Sequence, residues 1–117
     1  KTKEEFYNIL THYIKTSKSY LNNDLRLIDV ATAIGLPIHI VSQLINEKAH
    51  KNFNQFINEY RLKEAETLLK NNEDISIYSM YYSLGFNSRT TFYTVFKNKH
   101  KCTPLEYRAS FKSKTLS

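Results

Sequence analysis

Apolar residues recur along this 117-residue chain at intervals of three and four positions, the spacing of an α-helix with one buried face. Polar stretches and single glycines interrupt the pattern. The chain is therefore predicted to be all-α, with seven helices and no strand. The predicted helices cover residues 3–16, 25–34, 38–48, 53 to about 70, 77–84, 88–100 and 103 onward.

Several helix ends carry local sequence signals. Thr2 and Glu5 have the spacing of a capping box, in which each side chain accepts from the other residue's backbone N–H. The same spacing recurs at Thr103 and Glu106, with Pro104 at the first helical position. Asn87 or Ser88 is predicted to cap the helix that precedes this one.

Two segments of the chain repeat one apolar pattern. Five positions of the first match five of the second at an offset of 50: Val30, Ala31, Ile34, Gly35, Leu36 and Met80, Tyr81, Leu84, Gly85, Phe86. Three more match at an offset of 51, so that the second turn is one residue longer: Val41, Leu44, Ile45 and Phe92, Val95, Phe96. A short helix, a glycine turn and a second helix form the helix-turn-helix layout.

The repeat predicts the domain organisation. A lead-in helix (1–24) precedes a first helix-turn-helix unit (25–50), a long linker helix (51–74) and a second unit with a C-terminal helix (75–117). The linker helix would be about 27 Å long. Since successive major grooves on one face of DNA lie about 34 Å apart, two recognition helices on such a linker would reach both without a dimer.

Positive charge is concentrated in the last third of the chain. Residues 1–24 have a net charge of +1 and residues 25–85 of −1, whereas residues 86–117 hold seven basic residues and one acidic residue. The natural partner of such a segment is a polyanion, either nucleic acid or an acidic membrane surface. A solvated basic tail is the alternative.

Composition excludes several other classes of protein. Two Gly and two Pro residues are too few for a fold of many tight turns, and one Cys excludes a disulfide framework. A single Cys also suits a reducing compartment, so we expect a cytoplasmic location. No apolar run approaches the roughly 20 residues of a membrane span. Because the chain begins with Lys1, we expect it to be part of a longer protein, whose remainder could carry a sensor or a membrane anchor.

No catalytic or cofactor site is expected. The four His residues are scattered without acidic or Cys partners at ligand spacing, and helix capping explains Ser88 and Thr90 better than nucleophilic catalysis does. We therefore expect neither a metal nor an enzymatic activity. The aromatic run between residues 78 and 96 is expected to be mostly buried, with Tyr93 as its most exposed member.

The chain resembles the DNA-binding domain of AraC/XylS-type bacterial transcription regulators over about residues 20–110. The segments that carry the resemblance are Ala31-Thr-Ala-Ile-Gly-Leu36, Asn52-Phe-Asn-Gln-Phe-Ile-Asn-Glu-Tyr-Arg-Leu62, Leu84-Gly-Phe-Asn-Ser88, Val95-Phe-Lys97 and Thr103-Pro-Leu-Glu-Tyr-Arg108. The resemblance implies a double-stranded DNA partner and a role as activator or repressor. It also implies a contact with RNA polymerase and a separate regulatory or sensor domain, and it leaves the oligomeric state open.

The resemblance also implies two recognition helices. On the first, residues 38–48, the expected DNA-facing residues are His39, Ser42, Gln43 and Asn46. On the second, residues 88–100, they are Arg89, Thr90, Tyr93, Thr94 and Lys97. Arg89 suits a bidentate contact with guanine, and Gln43 or Asn46 suits adenine. Phosphate or structural contacts are expected of Ser88, Lys97 and Arg61.

Three features depart from the family pattern. Tyr81 stands where the family has a small Ala, so that either the helices of the second unit cross at a wider separation or the ring points aside. Pro37 replaces a capping Ser, and the first recognition helix has no Arg. We therefore expect the second unit to supply most of the affinity. The alternative function is a helical interaction module whose basic end binds an acidic protein or membrane, which explains the charge but not the repeat.

Overall fold

The computed structural model describes the backbone of residues 1–71 and 74–116, and the side chains of that part up to residue 111. Within these residues the chain forms helices and no strand, which confirms the predicted all-α class with seven α-helices. The helices are α1 (Lys3–Ser17), α2 (Leu27–Ile34), α3 (Ile38–Leu44), α4 (Phe53–Asn71), α5 (Ile77–Ser83), α6 (Arg89–His100) and α7 (Pro104–Leu116).

The two predicted capping boxes are present. At the start of α1, the Glu5 N–H donates to Thr2 Oγ1 at 3.1 Å and the Thr2 N–H donates to Glu5 Oε1 at 3.2 Å. At the start of α7, the Glu106 N–H donates to Thr103 Oγ1 at 3.2 Å and the Thr103 N–H donates to Glu106 Oε1 at 2.9 Å. Each box satisfies two backbone donors that the helix itself leaves unpaired.

The start of α2 differs from the prediction by two residues. The helix begins at Leu27 rather than at residue 25, because Arg26 has an extended backbone (φ −117°). The Arg26 N–H donates to Asp29 Oδ2 at 2.8 Å, so that the Asp side chain stabilises the boundary at this point. Pattern spacing alone does not fix such a boundary, since it depends on a side chain inside the first turn.

The end of the predicted third helix also differs. The α-helical part ends at Leu44, and residues Ile45–Ala49 form a π-helical turn before His50, which has a left-handed backbone (φ 56°). A π turn has more residues per turn than an α-helix and is uncommon. Residues 45–48 were predicted to continue the α-helix, and that prediction is wrong.

The linker helix α4 has 19 residues and is therefore about 28 Å long. It begins with a third capping box, which the sequence analysis missed: the Gln55 N–H donates to Asn52 Oδ1 at 2.8 Å, and the Asn52 N–H donates to Gln55 Oε1 at 3.0 Å. The polar stretch predicted to end the helix includes residues 72 and 73, which lie outside the described residues.

The chain divides into two compact units, residues 1–60 and 61–117, so that the division falls within α4. Each unit has its own core. The buried residues of the first are Leu10, Ile14, Tyr20, Val30, Ala31, Val41, Ile45, Phe56 and Ile57. Those of the second are Leu62, Ala65, Leu69, Ile77, Met80, Leu84, Phe86, Phe92 and Phe96. α4 therefore contributes side chains to both cores.

The glycine turns of the two units have the same hydrogen bonds. Gly35 and Gly85 both have left-handed backbones, with φ of 73° and 101°. In each unit, the residue after the glycine donates its N–H to the carbonyl five residues earlier at 3.0 Å: Leu36 to Ala31, and Phe86 to Tyr81. This is the bond of a Schellman motif, which ends a helix and requires a residue that tolerates positive φ. The repeat seen in the sequence is thus a structural repeat.

Candidate nucleic-acid interface

The first candidate recognition helix is α3 with the π turn that follows it. His39 and Gln43 are exposed on α3, and Ser42 is half-buried. Asn46 is exposed but lies in the π turn, so that it follows a different local geometry from the α-helix expected at that position. The structure therefore places three of the four expected residues on one short helix and the fourth just beyond it.

The side-chain amide of Gln43 is hydrogen-bonded to a carboxylate. Gln43 Nε2 donates to Glu47 Oε1 at 2.9 Å, and Lys3 Nζ donates to Glu47 Oε2 at 2.9 Å. The hydrogen bond from Gln43, together with the bond and charge of Lys3, lowers the pKa of Glu47. The first unit thus presents an ionised carboxylate beside the amide expected to contact adenine.

The second candidate recognition helix, α6, begins at a side-chain cap. Ser88 Oγ accepts from the Thr91 N–H at 3.0 Å and donates to Thr91 Oγ1 at 2.8 Å, which confirms Ser88 as the capping residue. The following side chains Thr90, Thr94 and Lys97 are exposed. They recur at intervals of four and three positions, so that they share one face of the helix.

Arg89, the first residue of α6, is held by Tyr78 on α5. Its Nε donates to the Tyr78 carbonyl at 3.0 Å, and its guanidinium carbon lies 3.4 Å from the centre of the Tyr78 ring. The same carbon lies 5.4 Å from the centre of the Tyr81 ring. These distances are typical of a cation–π contact. Among the described residues, no protein acceptor contacts the two terminal nitrogens of Arg89.

The aromatic side chains of this unit are exposed in a different order from the predicted one. Tyr78 is 65% exposed and Tyr82 is 62% exposed, whereas Tyr93 is half-buried with its ring 5.7 Å from that of Phe92. The prediction that Tyr93 would be the most exposed is therefore wrong. Tyr78 and Tyr82 are four residues apart on α5 and lie off its apolar stripe. The spacing of apolar residues in the sequence therefore already indicated that these two rings would be exposed.

Tyr81 does not take the place that Ala31 has in the first unit. Ala31 is 1% exposed within its core, whereas Tyr81 is half-buried and packs against the edge of the second core. Its ring lies 6.4 Å from that of Tyr82 and near the guanidinium of Arg89. The ring thus points aside, which was one of the two alternatives that its size suggested.

Arg61 packs against an aromatic ring of the second core. The residue is half-buried, and its guanidinium carbon lies 5.7 Å from the centre of the Phe86 ring in the second core. Burial lowers the pKa of Arg61. Of the two roles expected for Arg61, these contacts favour the structural one.

Part of the basic C-terminal segment is engaged within the second unit. Lys99 Nζ lies 2.8 Å from Glu66 Oε2, which makes this an ion pair. Arg108 is half-buried, and its Nη1 donates to the Ile75 carbonyl at 2.8 Å. Fewer positive charges of this segment are therefore available to a polyanion than its sequence suggests, while the Lys97 side chain remains exposed on α6.

The described part of the chain offers neither a single helix suited to span a membrane nor a cluster of metal ligands. No single helix there has both the length and the apolar character that a bilayer crossing needs; α2 and the helical segment Ile38–Ala49 meet those criteria only as a pair bent by 103°. No group of three or more His, Cys, Asp or Glu residues there is arranged to hold a metal ion.

Comparison with known proteins agrees with this geometry. Residues 30–110 match the family described as a helix-turn-helix domain. The regulatory protein PocR of Salmonella typhimurium is 36% identical over 90 residues, which are 77% of this chain and 29% of that protein. The chain therefore spans less than a third of that relative.

Two solved structures have the same fold. A transcriptional regulator with an AraC-type DNA-binding domain, from Chromobacterium violaceum, matches with a TM-score of 0.79 and 23% identity, over 92% of this chain and 96% of that chain. The DNA-binding domain of AdpA, solved in complex with a target DNA, matches with a TM-score of 0.75 and 17% identity, over 90% and 94%. With the family match over most of its length, this chain belongs to the AraC-type helix-turn-helix family and is the DNA-binding domain of a transcription regulator.

Proposed function

We propose that this domain recognises a specific double-stranded DNA sequence with α3 and α6 as its two recognition helices, and that α6 provides most of the affinity. The observation that carries the proposal is the start of α6. Arg89 stands there with its terminal nitrogens not bonded to described protein groups, and Thr90, Thr94 and Lys97 follow on an exposed face. In helix-turn-helix proteins, the N-terminal residues of the recognition helix contact base edges.

The residues of α6 have different roles in this proposal. Arg89 contacts guanine, because its planar group matches the O6 and N7 acceptors in the major groove. Thr90 and Thr94 contact neighbouring base edges or phosphates, and Lys97, two turns beyond Arg89, contacts the backbone. Ser88 and Tyr93 support the helix, Ser88 by capping it and Tyr93 by packing beside Phe92.

The first unit is the weaker of the two. His39, Ser42, Gln43 and Asn46 are its DNA-facing residues, and its helix has no Arg. Glu47 engages Gln43 and brings a negative charge toward phosphates. Direct or water-mediated contacts with adenine through Gln43 or Asn46 therefore contribute specificity more than affinity.

A single chain engages two successive major-groove segments. In support, α4 is one continuous helix of 19 residues that contributes to the cores of both units. We retain the division into a lead-in segment (1–24), a first unit (25–50), a linker (51–74) and a second unit (75–117). Footprinting on a defined site tests this point: two protected segments about one helical turn apart are expected. One protected segment would contradict it.

The full regulator contains more than this domain. The matched residues are 29% of PocR. The proposed full protein also has a separate regulatory or sensor region, and it contacts RNA polymerase. We place the protein in the bacterial cytoplasm, where its DNA target lies, and assign it no catalytic activity.

Selection of bound duplexes from a random library tests the central proposal. The chain is expected to enrich one sequence with at least one guanine at a fixed position. Its affinity should fall steeply as salt rises, because each phosphate contact releases counterions. Salt-independent binding, or tighter binding to single strands than to duplex, would contradict it.

A further inference from the structure

We propose that Tyr78 is a positioning residue for DNA recognition: its ring and its carbonyl hold the Arg89 guanidinium so that the end formed by the two terminal nitrogens faces guanine. This inference rests on the proposed function, because it concerns how Arg89 is presented to DNA. It adds a residue on α5, outside the recognition helix, to those that determine specificity.

The contacts of Arg89 fix both the plane and the direction of its guanidinium. The guanidinium carbon lies 3.4 Å above the Tyr78 ring, and a contact this close to the ring centre restricts how the group tilts. The bond from Nε to the Tyr78 carbonyl, at 3.0 Å, then restricts rotation over the ring. A long side chain with considerable rotamer freedom is thereby ordered before DNA arrives, so that binding loses less entropy.

The same contacts decide which edge of Arg89 is available. A guanidinium bonds two acceptors either with Nε and one terminal nitrogen or with both terminal nitrogens. Because Nε donates its hydrogen bond to the Tyr78 carbonyl, the two terminal nitrogens remain to bond O6 and N7 of guanine. Tyr78 thus selects one of two recognition geometries.

The arrangement is specific to the second unit. At the repeat offsets of 50 and 51, Tyr78 and Arg89 correspond to Ile28 and Ile38 of the first unit. Both of these isoleucines are exposed, at 42% and 43%, and neither side chain has a positive charge or an aromatic ring. The helix-turn-helix fold therefore does not itself require an aromatic–Arg pair at this corner.

Substitutions at position 78 separate the ring from the carbonyl, because every variant retains the backbone group. Tyr78→Phe keeps the ring face and is expected to bind as the wild type does. Tyr78→Leu keeps apolar volume without a π face, and Tyr78→Ala removes both. These two variants are expected to bind the selected duplex about 2- to 5-fold more weakly and to lose preference for guanine at one position. Binding to a scrambled duplex should change little.

The probes are the duplex that the wild-type 117-residue chain enriches from a random library, the same duplex with single guanines replaced by 7-deazaguanine, and a scrambled duplex. The guanine that Arg89 contacts is the one whose replacement by 7-deazaguanine weakens binding by the wild type but not by Arg89→Ala. Tyr78→Ala is then combined with Arg89→Ala in a double-mutant cycle. In the Arg89→Ala background, loss of the Tyr78 ring is expected to have no further effect on the ratio of selected to scrambled binding.

Three results would overturn the proposal. An effect of Tyr78→Ala that persists without Arg89 would mean that Tyr78 contacts DNA itself. Equal loss on both duplexes would mean that the ring only supports folding, and tighter binding by Tyr78→Ala would mean that the ring withholds Arg89 from DNA. If the wild type enriches no sequence, the proposed function fails as well. If it enriches a site and the cycle shows no coupling, only the role of Tyr78 fails.

Discussion

His100 Nε2 lies 2.9 Å from Glu66 Oε2, and the same carboxylate oxygen accepts from Lys99 Nζ at 2.8 Å. The His100 ring also packs against two aromatic rings, with centroid distances of 4.5 Å to Phe96 and 4.6 Å to Tyr107. One carboxylate on the linker helix thus anchors the last turn of α6. The stability of the second unit should therefore depend on the charge of Glu66.

The first prediction concerns how the contribution of Glu66 to stability changes at low pH. Burial by itself raises the pKa of Glu66, but the hydrogen bonds from Lys99 and His100 outweigh it and leave the pKa below its ordinary value. A carboxyl whose folded pKa is lowered adds stability above its unfolded pKa of about 4.3, and this is lost as pH falls through the folded pKa. Glu66→Gln should lower the free energy of unfolding by about 1 kcal/mol at pH 7, and the difference should shrink as the pH falls below the unfolded pKa and through the folded one.

Urea unfolding followed by circular dichroism at pH 7, 5 and 3 measures this difference. Glu4→Gln, at an exposed position in the first turn of α1, is the control for losing a carboxylate elsewhere, and it should change stability by less than about 0.5 kcal/mol. An unchanging difference between wild type and Glu66→Gln across this range would show that packing, and not charge, is what Glu66 contributes.

The second prediction distinguishes the two basic residues of α6. Arg89→Ala should cost about 1 to 3 kcal/mol on the selected duplex and relax preference at one position. Lys97→Ala should weaken all sequences about equally and reduce the salt slope by about one contact. Titrations on selected and scrambled duplexes at two salt concentrations compare them, once circular dichroism shows both variants folded. Equal loss on both duplexes for Arg89→Ala would make it a phosphate contact.

The third prediction concerns the carboxylate in the first unit. Glu47→Gln removes a negative charge beside α3 and leaves an amide that still accepts a hydrogen bond from Gln43. If α3 approaches phosphates, affinity for all duplexes should rise about 2- to 5-fold, since the Glu47 carboxylate no longer repels the DNA backbone. Glu4→Gln again serves as the matched control. Unchanged affinity would place α3 away from the DNA backbone.

The fourth prediction concerns backbone strain at His50. Its φ of 56° is in the left-handed region, which costs a residue with a Cβ about 1 kcal/mol. His50→Gly should raise the free energy of unfolding by about 0.5 kcal/mol, because the greater freedom of glycine in the unfolded chain offsets part of the gain. Thermal melts report the change. His50→Ala retains the Cβ and should show no gain, so equal stabilisation by both variants would contradict the strain argument.

Sequence predicted the features that depend on neighbouring residues. The capping box of Thr2 and Glu5 spans three positions, and the turn at Gly35 spans five, so that their signals lie within one stretch of chain. The π turn after Leu44 was not predicted, because apolar spacing over five residues does not distinguish π from α winding.

Contacts between distant residues were also missed. Lys99 is one of the seven basic residues of the segment 86–117, and its bond to Glu66 was not predicted because Glu66 lies 33 positions away in the chain. Arg89 was correctly placed at the start of a helix, but its contact with Tyr78 spans 11 positions and a turn. Such pairings depend on how the helices pack, which a single sequence does not specify. The expected DNA-facing residues themselves stay a prediction until the binding experiments are done.

The position of the boundary between the two units, inside α4 rather than in a loop, has a consequence for folding. Starting a helix is disfavoured about a thousandfold relative to extending one, because the first turn orders several residues for one hydrogen bond. Once the first core has ordered α4 up to Tyr60, the second unit extends an existing helix from Arg61 instead of starting a new one. Each unit thus lowers the nucleation cost of the other, which gives the pair a cooperativity that a flexible connection would not provide.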